Sequence, residues 1–118
     1  MKITPLSAVG AEVTEVDVKV LTAAQDAHLK AAFAQHGLLI FRDQNLAETD
    51  HIGLAQRWGQ INTNRFFKAH TDYPQIALVD KTPDQIQNIG GDWHTDHSYD
   101  QIPALGSILV ARMLPETG

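Results

Sequence analysis

The segment Trp93-His94-Thr95-Asp96-His97-Ser98-Tyr99 holds the residue types and spacing that could do chemistry. On a β-strand, side chains at i and i+2 share a face and lie about 7 Å apart along it, so His94 and Asp96 can converge on one metal ion. An imidazole and a carboxylate from one strand, joined by a distant His, make the facial triad of non-haem Fe(II) oxygenases. Three protein ligands on one face of an octahedron leave three open positions, enough for a bidentate oxo-acid and for dioxygen. The chain has no cysteine, so any metal site must draw on its six histidines and its carboxylates.

His-x-Asp is a short pattern, and the chain carries it twice. The other copy, His70-Thr71-Asp72, runs straight into Tyr73-Pro74 in a stretch without strand periodicity and reads as a surface turn. In the 93–99 copy, strand register groups Asp92, His94, Asp96 and Ser98 on one face and Trp93, Thr95, His97 and Tyr99 on the other. His97 is therefore expected to point away from the metal, into a core or pocket wall. A local zinc site from His94, Asp96 and His97 is the competing reading, which this alternation opposes. Asp92 reads either as an extra carboxylate or as a solvated loop residue. His28, His36 and His51 fall on predicted helices without a ligand-spaced partner, as surface or half-buried residues. Arg65-Phe66-Phe67-Lys68 reads as a loop packing its aromatics. No Gly-x-Ser-x-Gly elbow, phosphate-cradling glycine loop or dinucleotide fingerprint occurs.

The elements that must position these residues alternate between β and α. Residues 11–20 alternate apolar and charged side chains, cleanly at Val16, Val18 and Val20, and predict a strand with one solvated face. Thr22 with Gln25 forms a capping-box signature and Gly37 a stop, predicting a helix over 23–36 with Leu29, Ala32 and Phe33 inward. Residues 38–41 read as a strand buried on both faces. Glu48, Asp50, Arg57 and Gly59 bracket a second helix over 48–58, although no obvious N-cap precedes it. Residues 60–73 read as loop, 75–80 as strand, 81–92 as a long loop, 93–99 as strand, 100–103 as turn and 104–113 as an apolar strand.

Length and charge bound the rest. With 118 residues there is room for one small domain, and 43% hydrophobic content argues against disorder. The net charge is −5 and the nine Lys and Arg residues are scattered singly, so nucleic acid and an anionic bilayer are not expected partners. No apolar run approaches the roughly 20 residues of a membrane span, and residues 1–5 lack the apolar core of a signal peptide, so a cytoplasmic location is expected.

Trp93-His94-Thr95-Asp96, then Pro103-Ala104-Leu105-Gly106-Ser107-Ile108-Leu109-Val110-Ala111-Arg112 and Leu114-Pro115-Glu116-Thr117-Gly118, resemble the TauD/TfdA family of taurine dioxygenase-like Fe(II)/2-oxoglutarate-dependent oxygenases. Upstream, Ile3-Thr4-Pro5-Leu6, Gly10-Ala11, Leu39-Ile40-Phe41-Arg42-Asp43-Gln44 and Leu54-Ala55-Gln56-Arg57-Trp58-Gly59 also resemble that family's N-terminal half, in the right order. The resemblance implies an α+β, mainly β fold: the N-terminal part of a double-stranded β-helix, or jelly-roll, with two flanking N-terminal helices. It implies that His94 and Asp96 match the first two Fe(II) ligands. It also implies 2-oxoglutarate as co-substrate, dioxygen and a small organic molecule as reactants, and coupling of 2-oxoglutarate decarboxylation to substrate hydroxylation.

Members of that family run to more than twice this length. Their pattern continues with Gly-Asp-Thr, whose Thr contacts 2-oxoglutarate, and later supplies a third His ligand and an Arg for the distal carboxylate. The expectation is that residues 1–118 form a single partial domain, inactive alone. Asn64, Phe67 and Gly90 fall where the taurine enzymes carry a substrate-contacting His, a Tyr and a pocket Asn, which argues against taurine itself. The alternative is a non-catalytic binding or assembly module of the same fold, in which unpaired strand edges favour a homo-oligomer.

Overall fold

The computed structural model describes residues 1–82, 84–87, 90–96 and 98–116. Two compact units form, Met1–Trp58 and Gly59–Gly118. The first is a three-stranded sheet with two helices. Strand β1 (Lys2–Pro5) pairs antiparallel with β2 (Ala11–Thr14), and β2 pairs parallel with β3 (Leu39–Phe41), in the order β1-β2-β3. A parallel pair needs a long crossover, and helix α1 (Ala23–His36) supplies it.

Helix α1 has the predicted bounds because its end signals are local. The Gln25 N–H donates to Thr22 Oγ1 at 3.2 Å while Gln25 Oε1 accepts from the Thr22 N–H at 2.9 Å, which completes the capping box. At the other end Gly37 takes a left-handed φ of 73° and its N–H donates to the Phe33 carbonyl at 2.8 Å. Helix α2 (Glu48–Trp58) also matches its predicted range. Its missing cap is supplied backwards, by Asp50 Oδ2 accepting from the Ala47 N–H at 3.0 Å.

The strand predicted over 11–20 stops at Thr14. Glu15 turns left-handed at φ 56°, and Asp17 then caps a 3-10 turn, Val18–Val20, by accepting from the Lys19 N–H. Gln44 locks this departure: its Nε2 donates to the Val16 carbonyl at 3.0 Å and its Oε1 accepts from the Val18 N–H at 3.1 Å. Val18 is thereby buried beside α2 while Val20 is left exposed, so the alternation that predicted one strand face serves a turn instead.

Among the described residues the buried apolar side chains all lie in this unit: Ala11 and Val13 on β2, Val18 and Leu21 around the 3-10 turn, Leu29 and Ala32 on α1, and Leu46 and Leu54 around α2. Phe33 and Trp58 meet edge to face at 5.4 Å, joining α1 to α2. Strand β3 is half-buried rather than buried on both faces, because it is the sheet's last strand among the described residues.

Among its described residues the second unit holds a two-stranded sheet, β4 (Lys68–Ala69) antiparallel to β5 (Ala77–Leu78), the latter inside the predicted 75–80 strand. Neither 93–96 nor 98–99 is strand, and 104–113 is irregular, so the β content is smaller than expected and the class is α+β with short strands. A strand needs a second strand to pair with, and no strand ladder includes these segments among the described residues. Leu105, Leu109 and Met113 accordingly lie exposed. Among the described residues no helix is long and apolar enough to cross a membrane.

Candidate functional site

His94 and Asp96 come together without the strand that was expected to align them. His94 Nε2 lies 3.5 Å from Asp96 Oδ1, with the side chains 54% and 78% exposed. The ring is oriented from its other nitrogen: Nδ1 is 2.7 Å from the Asp92 carbonyl oxygen. A carbonyl only accepts, so Nδ1 carries a proton and Nε2 is the ring atom turned toward the Asp96 carboxylate. Asp92 therefore contributes a backbone oxygen that holds His94.

Gly90 completes the arrangement. Its φ of 69° is left-handed, and a Cβ there would lie 3.1 Å from His94 Cε1 and 3.6 Å from Nε2. Glycine is thus favoured by the backbone, and any larger residue would press on the His94 ring and shift it by a few tenths of an ångström. Gly90, Gly91, Asp92, Trp93 and His94 line an open hollow of about 400 Å³, and the Trp93 side chain is fully exposed at its edge.

This donor set fits a divalent cation. Two ligands about 2.1 Å from one ion and at right angles lie about 3 Å apart, close to the 3.5 Å observed. A nitrogen lone pair facing a carboxylate is repulsive unless a proton or a cation lies between them. No third His, Cys, Asp or Glu joins the pair among the described residues. His97, on which the zinc alternative depended, lies outside the described residues, as do Thr117 and Gly118 of the family-like C-terminal motif.

The remaining expectations divide. His70-Thr71-Asp72 is a turn, with the Asp72 N–H donating to His70 Nδ1 at 3.2 Å and the His70 ring 5.3 Å from Tyr73. His28 is exposed, and His36 and His51 are half-buried. The Arg65–Lys68 stretch does not bury its aromatics. Phe66 and Phe67 are exposed, the Arg65 guanidinium lies 5.4 Å from the Phe66 ring centroid, and Asn64 Oδ1 accepts from the Phe66 and Phe67 N–H groups at 2.8 and 3.1 Å. Sequence reasoning missed Gly90 as the space beside His94. The signals were a glycine four residues before the histidine and its match to a pocket position of the resembled family. It also missed the ion pair of Arg65 with Asp100, which no local pattern announces.

Comparison with known proteins places the chain in a family. The family model for taurine catabolism dioxygenase TauD, TfdA family matches residues 2–118. An (S)-phenoxypropionate/alpha-ketoglutarate-dioxygenase from Delftia acidovorans is 33% identical over 129 residues, covering 100% of this chain and 44% of the relative. The protein of the same description from Sphingobium herbicidovorans is 30% identical, covering 98% of this chain and 42% of the relative. Among solved structures, a Burkholderia xenovorans protein assigned as an alpha-ketoglutarate-dependent taurine dioxygenase superposes with a TM-score of 0.68 at 30% identity, covering 82% of this chain and 36% of that one. The chain thus spans less than half the length of the curated relatives it matches.

Proposed function

The chain belongs to the taurine catabolism dioxygenase TauD, TfdA family, and from that premise we propose that it is the N-terminal portion of an Fe(II)/2-oxoglutarate-dependent dioxygenase acting on a small organic substrate. The observation that carries this reading is the His94–Asp96 pair, with Nε2 and Oδ1 3.5 Å apart and Nδ1 tied to the Asp92 carbonyl. In this role His94 and Asp96 are two of three protein ligands, and the third comes from the part of the domain that this chain does not span.

When bound, Fe(II) supplies the redox chemistry that couples 2-oxoglutarate decarboxylation by dioxygen to substrate hydroxylation. The chain's own residues do the positioning. The Asp92 carbonyl fixes the His94 ring and keeps Nδ1 protonated, so Nε2 remains the donor. Asp96 contributes negative charge beside it. The bare backbone at Gly90 and Gly91 leaves the approach to His94 open for the organic reactants.

Both units belong, in this proposal, to one jelly-roll oxygenase domain, and the apolar residues Leu105, Leu109 and Met113 await strands from its remainder. The phenoxypropionate named for both curated relatives makes an aryloxy acid the first substrate to test. A cytoplasmic location is part of the same proposal.

The test is turnover by the chain itself. Given Fe(II), 2-oxoglutarate, air and (S)-2-phenoxypropionate, it forms no succinate above background, and anaerobically it shows little Fe(II)-2-oxoglutarate charge-transfer absorption. Robust succinate formation by this polypeptide alone contradicts the reading that it carries only part of the site.

A further inference from the structure

The hollow beside the candidate metal pair is lined by residues of unlike character. Gly90 and Gly91 offer bare backbone, Asp92 a carboxylate, and His94 the ring that faces Asp96. Trp93 alone among the lining residues presents a large apolar face. Strand alternation would send its side chain to the side opposite His94, but 93–96 is not strand, and both residues border the same hollow. The indole is fully exposed, more so than any other large hydrophobic side chain among the described residues.

Such a ring gains free energy from a planar apolar group laid over it, through the area buried and through the complementary charge of ring face and edge. Charge decides which end of a substrate can lie there. Asp92 lines the hollow, Asp96 lies 3.5 Å from His94, and no Lys or Arg is among the lining residues. In the proposed reaction 2-oxoglutarate brings further negative charge to the same place. An acid group is repelled from this neighbourhood, so a small aromatic acid is drawn in by its ring rather than by its charge.

We propose that Trp93 selects the organic substrate, its indole stacking on the aromatic ring of a small aryl acid held beside His94. This role rests on the dioxygenase reading and on His94 and Asp96 holding the metal, and it adds the residue that discriminates among organic acids.

The test loads the whole chain with Mn(II), a paramagnetic stand-in for Fe(II), and follows ligand signals by NMR, since protons held near the metal broaden. The ring protons of (S)-2-phenoxypropionate broaden, and per bound Mn(II) the effect falls about fivefold in Trp93→Ala and is largely kept in Trp93→Phe. Propionate, an acid without the ring, stays sharp. With Mn(II) bound, ring broadening that is absent from the unsubstituted chain, that survives Trp93→Ala, or that propionate matches overturns this inference alone. Mn(II) binding that ignores His94→Ala overturns the metal reading, and the role of Trp93 with it.

Discussion

The unit Met1–Trp58 holds all the buried apolar side chains among the described residues, whereas the candidate chemistry lies in Gly59–Gly118 on exposed side chains. One unit is organised by burial, the other by a few polar ties. In the first, Leu29 and Val13 are almost fully enclosed and the Phe33–Trp58 contact joins the helices. In the second, the ties are polar: His94 with the Asp92 carbonyl, His94 with Asp96, and Arg65 with Asp100. Substitutions should therefore separate stability from ligand binding along this division.

The largest effect is expected from Leu29→Ala, which removes a side chain with 0% exposure and costs about 2–5 kcal/mol of unfolding free energy. Denaturant unfolding measures the loss, and Mn(II) affinity of the folded fraction should stay unchanged. A parallel fall in affinity would break the division.

Next comes a glycine pair. Gly90→Ala puts a Cβ 3.1 Å from His94 Cε1 at a left-handed φ, so Mn(II) affinity should fall about tenfold. Gly53→Ala on α2 meets nothing within 4 Å and should raise helix stability by about 0.5–1 kcal/mol, leaving Mn(II) affinity alone. Calorimetry on the two variants sharpens the comparison, and equal effects on binding would erase it.

The smallest expected effect is at Asp84, whose carboxyl is held below the usual carboxylate range by a hydrogen bond from the Thr82 side chain. A depressed folded pKa means that the contribution of this bond is present above the unfolded carboxylate range and lost as pH falls through the folded value. Thr82→Val should let the Asp84 pKa rise toward its ordinary value in an NMR titration. An unmoved titration would show that Thr82 is not the cause.

What was legible in the sequence follows the same division. Helix α1 was readable to the residue because Thr22, Gln25 and Gly37 encode its ends within a few positions. Helix α2 was readable from its charges, though Asp50 acting backwards on the Ala47 N–H was not foreseen. The 11–20 alternation misled because side-chain pattern is silent about φ, and Glu15 turns left-handed where a strand needs extended backbone. Residues 93–99 and 104–113 have strand-like composition, but strand pairing is non-local and no strand ladder includes their described residues. His94 and Asp96 were identified by type and spacing, and they meet through an irregular turn built on Gly90 and the Asp92 carbonyl. Arg65–Asp100 lay beyond any local pattern, since 35 positions separate its partners.

Everything proposed for the second unit depends on His94 and Asp96 together holding a divalent metal. Titrating the whole chain with Mn(II), beside His94→Ala and Asp96→Ala, tests it most directly. One weak site per chain is expected in the unsubstituted protein and no saturable binding in either variant, with circular dichroism unchanged in all three. A single Mn(II) site that survives both substitutions would contradict it.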